Sequence, residues 1–127
     1  MKLKKKIAII GLGYVGLPLL LLVNKRYDVL GFDLSLDKVN SIKKNLSYIS
    51  DIPNSELKKI NKKNIFSMKQ IKNISQCDYI ILCVPTPLKK NRPDMTYIIS
   101  AFNKIFKFLK KNQTLILESS VFPGATK

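Results

Sequence analysis

The sequence has no histidine, only two cysteines, and only eight acidic residues against 23 basic ones. Without histidine there is no imidazole to serve as a general base near neutral pH, which removes the commonest form of acid–base chemistry from this chain. Cys77 and Cys83 have neither the spacing of a metal site nor the density of a disulfide framework. Cys83 lies inside YIILCVP, which reads as a buried strand, so it is expected to be a small core residue rather than a nucleophile. No metal ligands are expected. Repeats, linkers and low-complexity segments are also missing, and residues 1–127 are expected to form one domain with a real core.

The longest uncharged stretch is IAIIGLGYVGLPLLLLV, residues 7 to 23, between MKLKKK and NKR. A basic start before a short apolar core resembles an export signal, and 17 residues approach the length of a membrane span. Yet no small-x-small cleavage site follows Val23, and a second apolar run, Val29 to Phe32, closes on Asp33. Gly11, Gly13 and Gly16 stand in G-x-G-x-x-G spacing directly after the strand-forming Ile7, Ala8, Ile9 and Ile10. In a dinucleotide-binding βαβ unit the first glycine permits the turn, the second admits a pyrophosphate close to the backbone, and the third lets helix and strand pack. The phosphates then sit at a helix N-terminus, where free N–H groups and the dipole favour anions. Asp33 follows Gly11 by 22 residues, at the end of the second apolar run. A carboxylate there accepts hydrogen bonds from ribose hydroxyls and repels a 2′-phosphate, so NAD is expected rather than NADP.

The net charge of +15 suggests a nucleic-acid partner at first sight. Only Arg26 and Arg92 among the basic residues are arginine, however, and lysine, asparagine and isoleucine are what AT-rich codons specify. The lysines are scattered rather than interleaved with aromatics on one element, so they read as a solvated surface with weak attraction for anionic ligands. Neither a nucleic-acid nor a membrane partner is expected.

Periodicity gives an alternating series: a strand over about 6–10, a helix to about 25, a strand over about 28–33 and a helix over about 36–44. A helix near 54–62, a short strand at Ile65 and Phe66, and an apolar strand from Tyr79 to Val84 follow. Residues 95–110 have helical periodicity, and TLILE, 114–118, is a final strand. Such alternation predicts an α/β fold, a Rossmann-like doubly wound parallel sheet with helices on both faces. Ligands of such sheets bind beyond the carboxyl ends of the strands. Gly11 to Gly16, Asp33, the Pro85-Thr86-Pro87 segment and Glu118-Ser119-Ser120 all fall there. Pro87 biases Thr86 toward an extended backbone, which would fix the direction of its hydroxyl.

IIGLGYVGLPL, GFDLSLDKV, YISDIPNSEL, CDYIILCVPTPL, RPDMTYI and LESSVFPGAT together resemble the amino-terminal NAD-binding domain of the UDP-sugar 6-dehydrogenases, over about residues 6–126. They are most similar to the branch that oxidises UDP-N-acetylglucosamine or a related UDP-N-acetylhexosamine. The resemblance implies that Gly11, Gly13, Tyr14, Val15 and Gly16 form the pyrophosphate turn. It implies that Asp33, with Lys38 beside it, holds the adenosine ribose. It places Val84, Pro85, Thr86 and Ser120 along the cofactor, with Thr86 and Ser120 at its nicotinamide half. Asn45 stands where the family commonly has glycine, a substitution asparagine tolerates if the backbone there is left-handed. The segment before RPDM is about one residue short, and Lys127 follows PGAT where an acid is usual.

The family's reaction takes two hydrides from the C6 alcohol of the sugar with two NAD molecules, assisted by a cysteine thiolate that forms a thiohemiacetal and then a thioester. That cysteine and the UDP pocket belong to later domains, and neither Cys77 nor Cys83 matches its position. The resemblance therefore implies a chain that binds NAD without turning over a UDP-sugar, in a cytoplasmic enzyme that is a homo-oligomer at full length. The alternative is a non-enzymatic NAD-binding regulatory module. Because the sheet should continue past the PG turn, the expectation is a truncated form of a longer enzyme, a split gene or a decayed reading frame, with an exposed sheet edge.

Overall fold

The computed structural model describes residues 2–118. The 17-residue uncharged stretch is divided: its first part ends strand β1 (Leu3–Ile10) and its last part is helix α1 (Gly16–Val23), with the glycine turn between. Among the described residues no helix is long and apolar enough to cross a membrane. Pro18 falls in the first turn of α1, where its missing N–H costs no helical hydrogen bond. The chain returns through β2 (Tyr27–Asp33) and α2 (Leu36–Lys43), and a one-turn helix α3 (Asn54–Leu57) and a 3-10 turn (Lys62–Asn64) lead to β3 (Ile65–Ser67). A 3-10 segment (Met68–Gln76) precedes β4 (Tyr79–Leu82). A small hairpin of β5 (Leu88–Lys89) and β6 (Arg92–Pro93), helix α4 (Thr96–Ile105) and strand β7 (Thr114–Leu117) follow.

Five strands form one parallel sheet in the order β3-β2-β1-β4-β7, as expected of a doubly wound fold. The central strand explains both cores, because successive side chains of a strand point to opposite faces. Ile7 and Ile9 pack with Leu17, Leu20, Val39 and Ile42 under α1 and α2. Ala8 and Ile10 pack with Ile71, Ile74, Ala101 and Ile105 under the 3-10 segment and α4. Phe32 of β2 stacks on Phe66 of β3 with ring centroids 5.2 Å apart. β7, the last strand in the order, leaves Leu115, Ile116 and Leu117 exposed.

Two expectations need correction, and one element was missed. The helix near 54–62 lasts only from Asn54 to Leu57, because the Lys62 ammonium takes the carbonyls of Leu57 and Ile60 and Asn61 is extended at φ −73°, ψ 111°. The helix over 95–110 is regular only to Ile105, after which a 3-10 turn (Phe106–Phe108) ends at the extended Leu109. The hairpin at 88–93 was not expected at all. Its two turn residues, Lys90 and Asn91, have φ of 54° and 64°, a pair usually filled by Asn-Gly, so the turn carries no ordinary sequence signal.

Gly31 in the middle of β2 has no room for a side chain: a Cβ there would stand 2.7 Å from Leu20 Cδ1 and 3.0 Å from Ile65 Cδ1. Both of those side chains are fully buried or nearly so. Gly31→Val is expected to lower unfolding free energy by about 2 kcal/mol, the usual cost of overpacking a dense core. Urea unfolding followed by circular dichroism checks this, and an unchanged midpoint would show the core to be looser than described.

Candidate functional site

The carboxyl ends of β1, β2 and β4 meet at one edge of the sheet, and the turn after β1 is built by contacts that exclude side chains. Gly11 has φ of 99°, donates its N–H to the Phe32 carbonyl at 2.8 Å, and would carry a Cβ 2.9 Å from the Cys83 carbonyl carbon. A Cβ on Gly16 would overlap the Gly11 carbonyl oxygen and lie 2.7 Å from its carbon. Gly11 and Gly16 therefore let the start of α1 rest on the end of β1. Gly13 is different, since a Cβ there would meet only the Lys38 ammonium at 3.8 Å, so its surface is left open for a ligand.

Asp33 is buried at 8% exposure and ties the edge together. Its Oδ2 accepts the N–H of Leu12 at 2.7 Å, and its Oδ1 accepts the N–H of Ser35 at 2.7 Å. Each carboxylate oxygen keeps a further lone pair, so Asp33 can accept from a ribose while holding the turn. Ser35 in turn caps α2, accepting from the Lys38 N–H at 3.3 Å. Among the described residues, the N–H groups of Gly13, Tyr14 and Val15 donate to no backbone carbonyl.

A cleft of about 830 Å³ opens on this edge, within the usual size of a ligand pocket. Gly11, Gly13, Tyr14, Val15, Asp33, Lys38, Val84 and Pro85 all line it, so eight of the eleven residues expected from the sequence are brought together. Tyr14 stands at 81% exposure. Gly16 is buried beneath the turn, and Thr86 is buried at 7% exposure just past the lining segment. Ser120 lies outside the described residues. The opposite wall was missed: Leu34, Met68 and a face of α4 carrying Tyr97, Ser100, Ala101 and Lys104. Leu34 immediately follows Asp33 and could have been inferred, whereas the α4 residues lie on a mixed polar face with no signal of their own. Tyr48 was also passed over, although it donates its hydroxyl to the Leu12 carbonyl at 2.5 Å.

Neither thiol is poised to react. Burial pushes Cys83 up to about 11 and Cys77 up to about 12, and Cys83 lies directly under Gly16. Among the described residues no group of three or more histidine, cysteine or acidic side chains could hold a metal ion.

A parallel sheet in this order, a glycine turn opening onto α1, and an acid closing β2 beside a cleft together define a dinucleotide-binding α/β domain. The chain belongs to the UDP-glucose/GDP-mannose dehydrogenase family and matches its NAD binding domain over residues 5–127. It is 35% identical over 122 residues to the UDP-N-acetyl-D-glucosamine 6-dehydrogenase of Pseudomonas aeruginosa, covering 95% of this chain and 28% of that one. With the UDP-N-acetyl-D-mannosamine dehydrogenase of Methanococcus maripaludis it shares 38% identity over 131 residues, covering 97% of this chain and 30% of that one. In structure it resembles the GDP-mannose dehydrogenase of Pseudomonas aeruginosa, solved as a ternary complex, at a TM-score of 0.78 and 27% identity, covering 94% and 29% of the two chains. The chain thus spans under a third of the length of these relatives. NAD is the cofactor of the domain, and the open Gly13 surface, the free amides and the remaining lone pairs of Asp33 fit it.

With both pKa values well above neutrality, less than about 1% of either thiol is ionised at pH 8, since the thiolate fraction falls tenfold per pH unit below the pKa. Ellman's reagent at pH 8 is expected to modify the native chain at least about a hundredfold more slowly than the urea-unfolded chain. Equal rates would mean that Cys83 is not covered by the turn.

Proposed function

We propose that this chain binds NAD along the edge just described and serves as the cofactor-binding part of a dehydrogenase that oxidises the C6 alcohol of a UDP-N-acetylhexosamine to the uronic acid. The observation that carries the reading is the doubly bonded Asp33 lining the same cleft as the glycine turn. In this reading Gly13, Tyr14 and Val15 offer N–H groups to the pyrophosphate, with Gly11 and Gly16 shaping the turn. Asp33 accepts from the adenosine ribose, with Lys38 beside it in the cleft lining. Val84 and Pro85 line the path toward the nicotinamide, where Thr86 and Ser120 are assigned. When bound, NAD supplies the acceptor for hydride.

The choice of an N-acetylated UDP-sugar is supported by relatives named for UDP-N-acetyl-D-glucosamine and UDP-N-acetyl-D-mannosamine. Membership in a dehydrogenase family weighs against a purely regulatory NAD-binding module. The two buried thiols and the absence of histidine leave the described residues without a nucleophile or imidazole base for the second oxidation, so sugar recognition and that chemistry are assigned to other parts of the enzyme. We place the enzyme in the cytoplasm, where NAD and nucleotide sugars are available, as a homo-oligomer at full length. Its scattered lysines are assigned to solvent rather than to a nucleic acid or a membrane.

Calorimetric titration of the 127-residue chain is expected to show NAD binding at least about tenfold tighter than NADP, because a 2′-phosphate would face the Asp33 carboxylate. In Asp33→Ala, NAD binding should weaken by about tenfold or more as the Leu12 and Ser35 N–H groups lose their acceptor. No absorbance at 340 nm should develop with NAD and UDP-N-acetylglucosamine together. Unchanged affinity in Asp33→Ala would remove the ribose assignment, and turnover by this chain would contradict its role as the cofactor part alone.

A further inference from the structure

Leu12, between the first two glycines, is held at both ends by side chains from elsewhere in the fold. Its N–H donates to Asp33 Oδ2 at 2.7 Å, and its carbonyl accepts from the Tyr48 hydroxyl at 2.5 Å. No peptide among the described residues is cis, and in a planar trans peptide the C=O and the following N–H point to opposite sides. A hydroxyl that fixes the direction of the Leu12 carbonyl therefore fixes the direction of the Gly13 N–H as well.

We propose, on the reading that this cleft binds NAD through its glycine turn, that Tyr48 is a positioning residue whose hydroxyl sets the Leu12–Gly13 peptide and so aims the turn's N–H donors at the pyrophosphate before the cofactor arrives.

The placement of Tyr48 is built in several steps. The Leu46 N–H returns to the Ser41 carbonyl at 2.8 Å and the Asn45 N–H to the Ile42 carbonyl at 3.0 Å, closing α2 with Asn45 at φ 59°. This is the paired bonding of a left-handed helix stop, and it turns the chain back toward the glycine turn. Ser47 is then fixed twice, its N–H donating to Asn54 Oδ1 at 2.8 Å and its hydroxyl to the Ile49 carbonyl at 2.9 Å. Ile49 and Ile52 anchor the segment in the core. Tyr48 itself is half-buried, and burial with the neighbouring Asp33 charge raises its phenol pKa, so it stays a donor at any working pH. The Lys38 ammonium lies over its ring, 5.8 Å from the centroid, beside the open face of Gly13. The segment thus delivers a hydroxyl to the turn and supports the cation next to it.

Tyr48→Phe removes the hydroxyl but keeps the ring and its burial. Calorimetry on the 127-residue chain should show NAD and ADP-ribose binding weakened about tenfold in the variant, while adenosine, which has no phosphate, changes by less than about twofold. The melting temperature is read on the same samples. If NAD and adenosine weaken alike, or if NAD is unaffected while the wild-type chain binds it, the positioning role is overturned. A wild-type chain that takes up no NAD overturns the cofactor reading and the proposal with it. Should the variant unfold, titration of inorganic pyrophosphate into the isotope-labelled wild-type chain decides. The Gly13 and Tyr14 amide resonances and the Tyr48 ring resonances should move together, and if they stay in place the proposal fails.

Discussion

The carboxyl edge of this domain depends on one acceptor, the Asp33 carboxylate, satisfying two backbone N–H groups from two different segments. Leu12 belongs to the turn after β1 and Ser35 to the start of α2, so a single buried charge fixes the turn and the helix cap to the end of β2. Charge-assisted bonds of this kind are stronger than neutral ones, and the alternative is a stranded buried N–H. Burial of Asp33 is tolerable because its charge is met by donors, and it is useful because lone pairs remain toward the cleft.

The rest of the edge follows from steric exclusion. β1 and α1 approach so closely that only glycine fits at Gly11 and Gly16, and the small Cys83 lies under them. Beyond it, Gly13, Tyr14 and Val15 line the cleft, with the Lys38 ammonium beside Gly13. Alternation along β1 then supplies both supporting cores, Ile7 and Ile9 on one face and Ala8 and Ile10 on the other, so the turn rests on a rigid sheet rather than on a loop. The order β3-β2-β1-β4-β7 puts the ends of β1, β2 and β4 side by side, which is why residues from the first and last thirds of the described chain share one cleft.

What could be read from residue order was whatever is encoded locally. The glycine spacing, Asp33 at its distance from Gly11 and the apolar alternation of strands each carry their meaning within a short window, and the sheet and the glycine-turn and Asp33 part of the cleft followed from them. Asn45 was also readable, because its left-handed φ is the property that glycine and asparagine share. Tyr48 was not, since its hydroxyl acts on Leu12, 36 residues away, and nothing in the neighbouring sequence marks that contact. The α4 wall of the cleft was hidden for a similar reason: the apolar periodicity picked out the buried Ile98 and Ile105 but also Met95, Ile99 and Phe106, which are exposed, while Tyr97, Ser100, Ala101 and Lys104 reach the cleft only through tertiary placement. The hairpin at Lys90 and Asn91 escaped because its left-handed pair lacks the usual glycine, and Met68–Gln76 because its two buried residues, Ile71 and Ile74, are too few to show a period.

The most direct measurement is a crystal structure of this chain grown with NAD. The account requires the pyrophosphate against the Gly13–Val15 backbone and the adenosine ribose against Asp33, with the Asp33–Leu12 hydrogen bond kept. NAD bound elsewhere on the surface, or bound with Asp33 turned away from Leu12 toward the ligand, would contradict it.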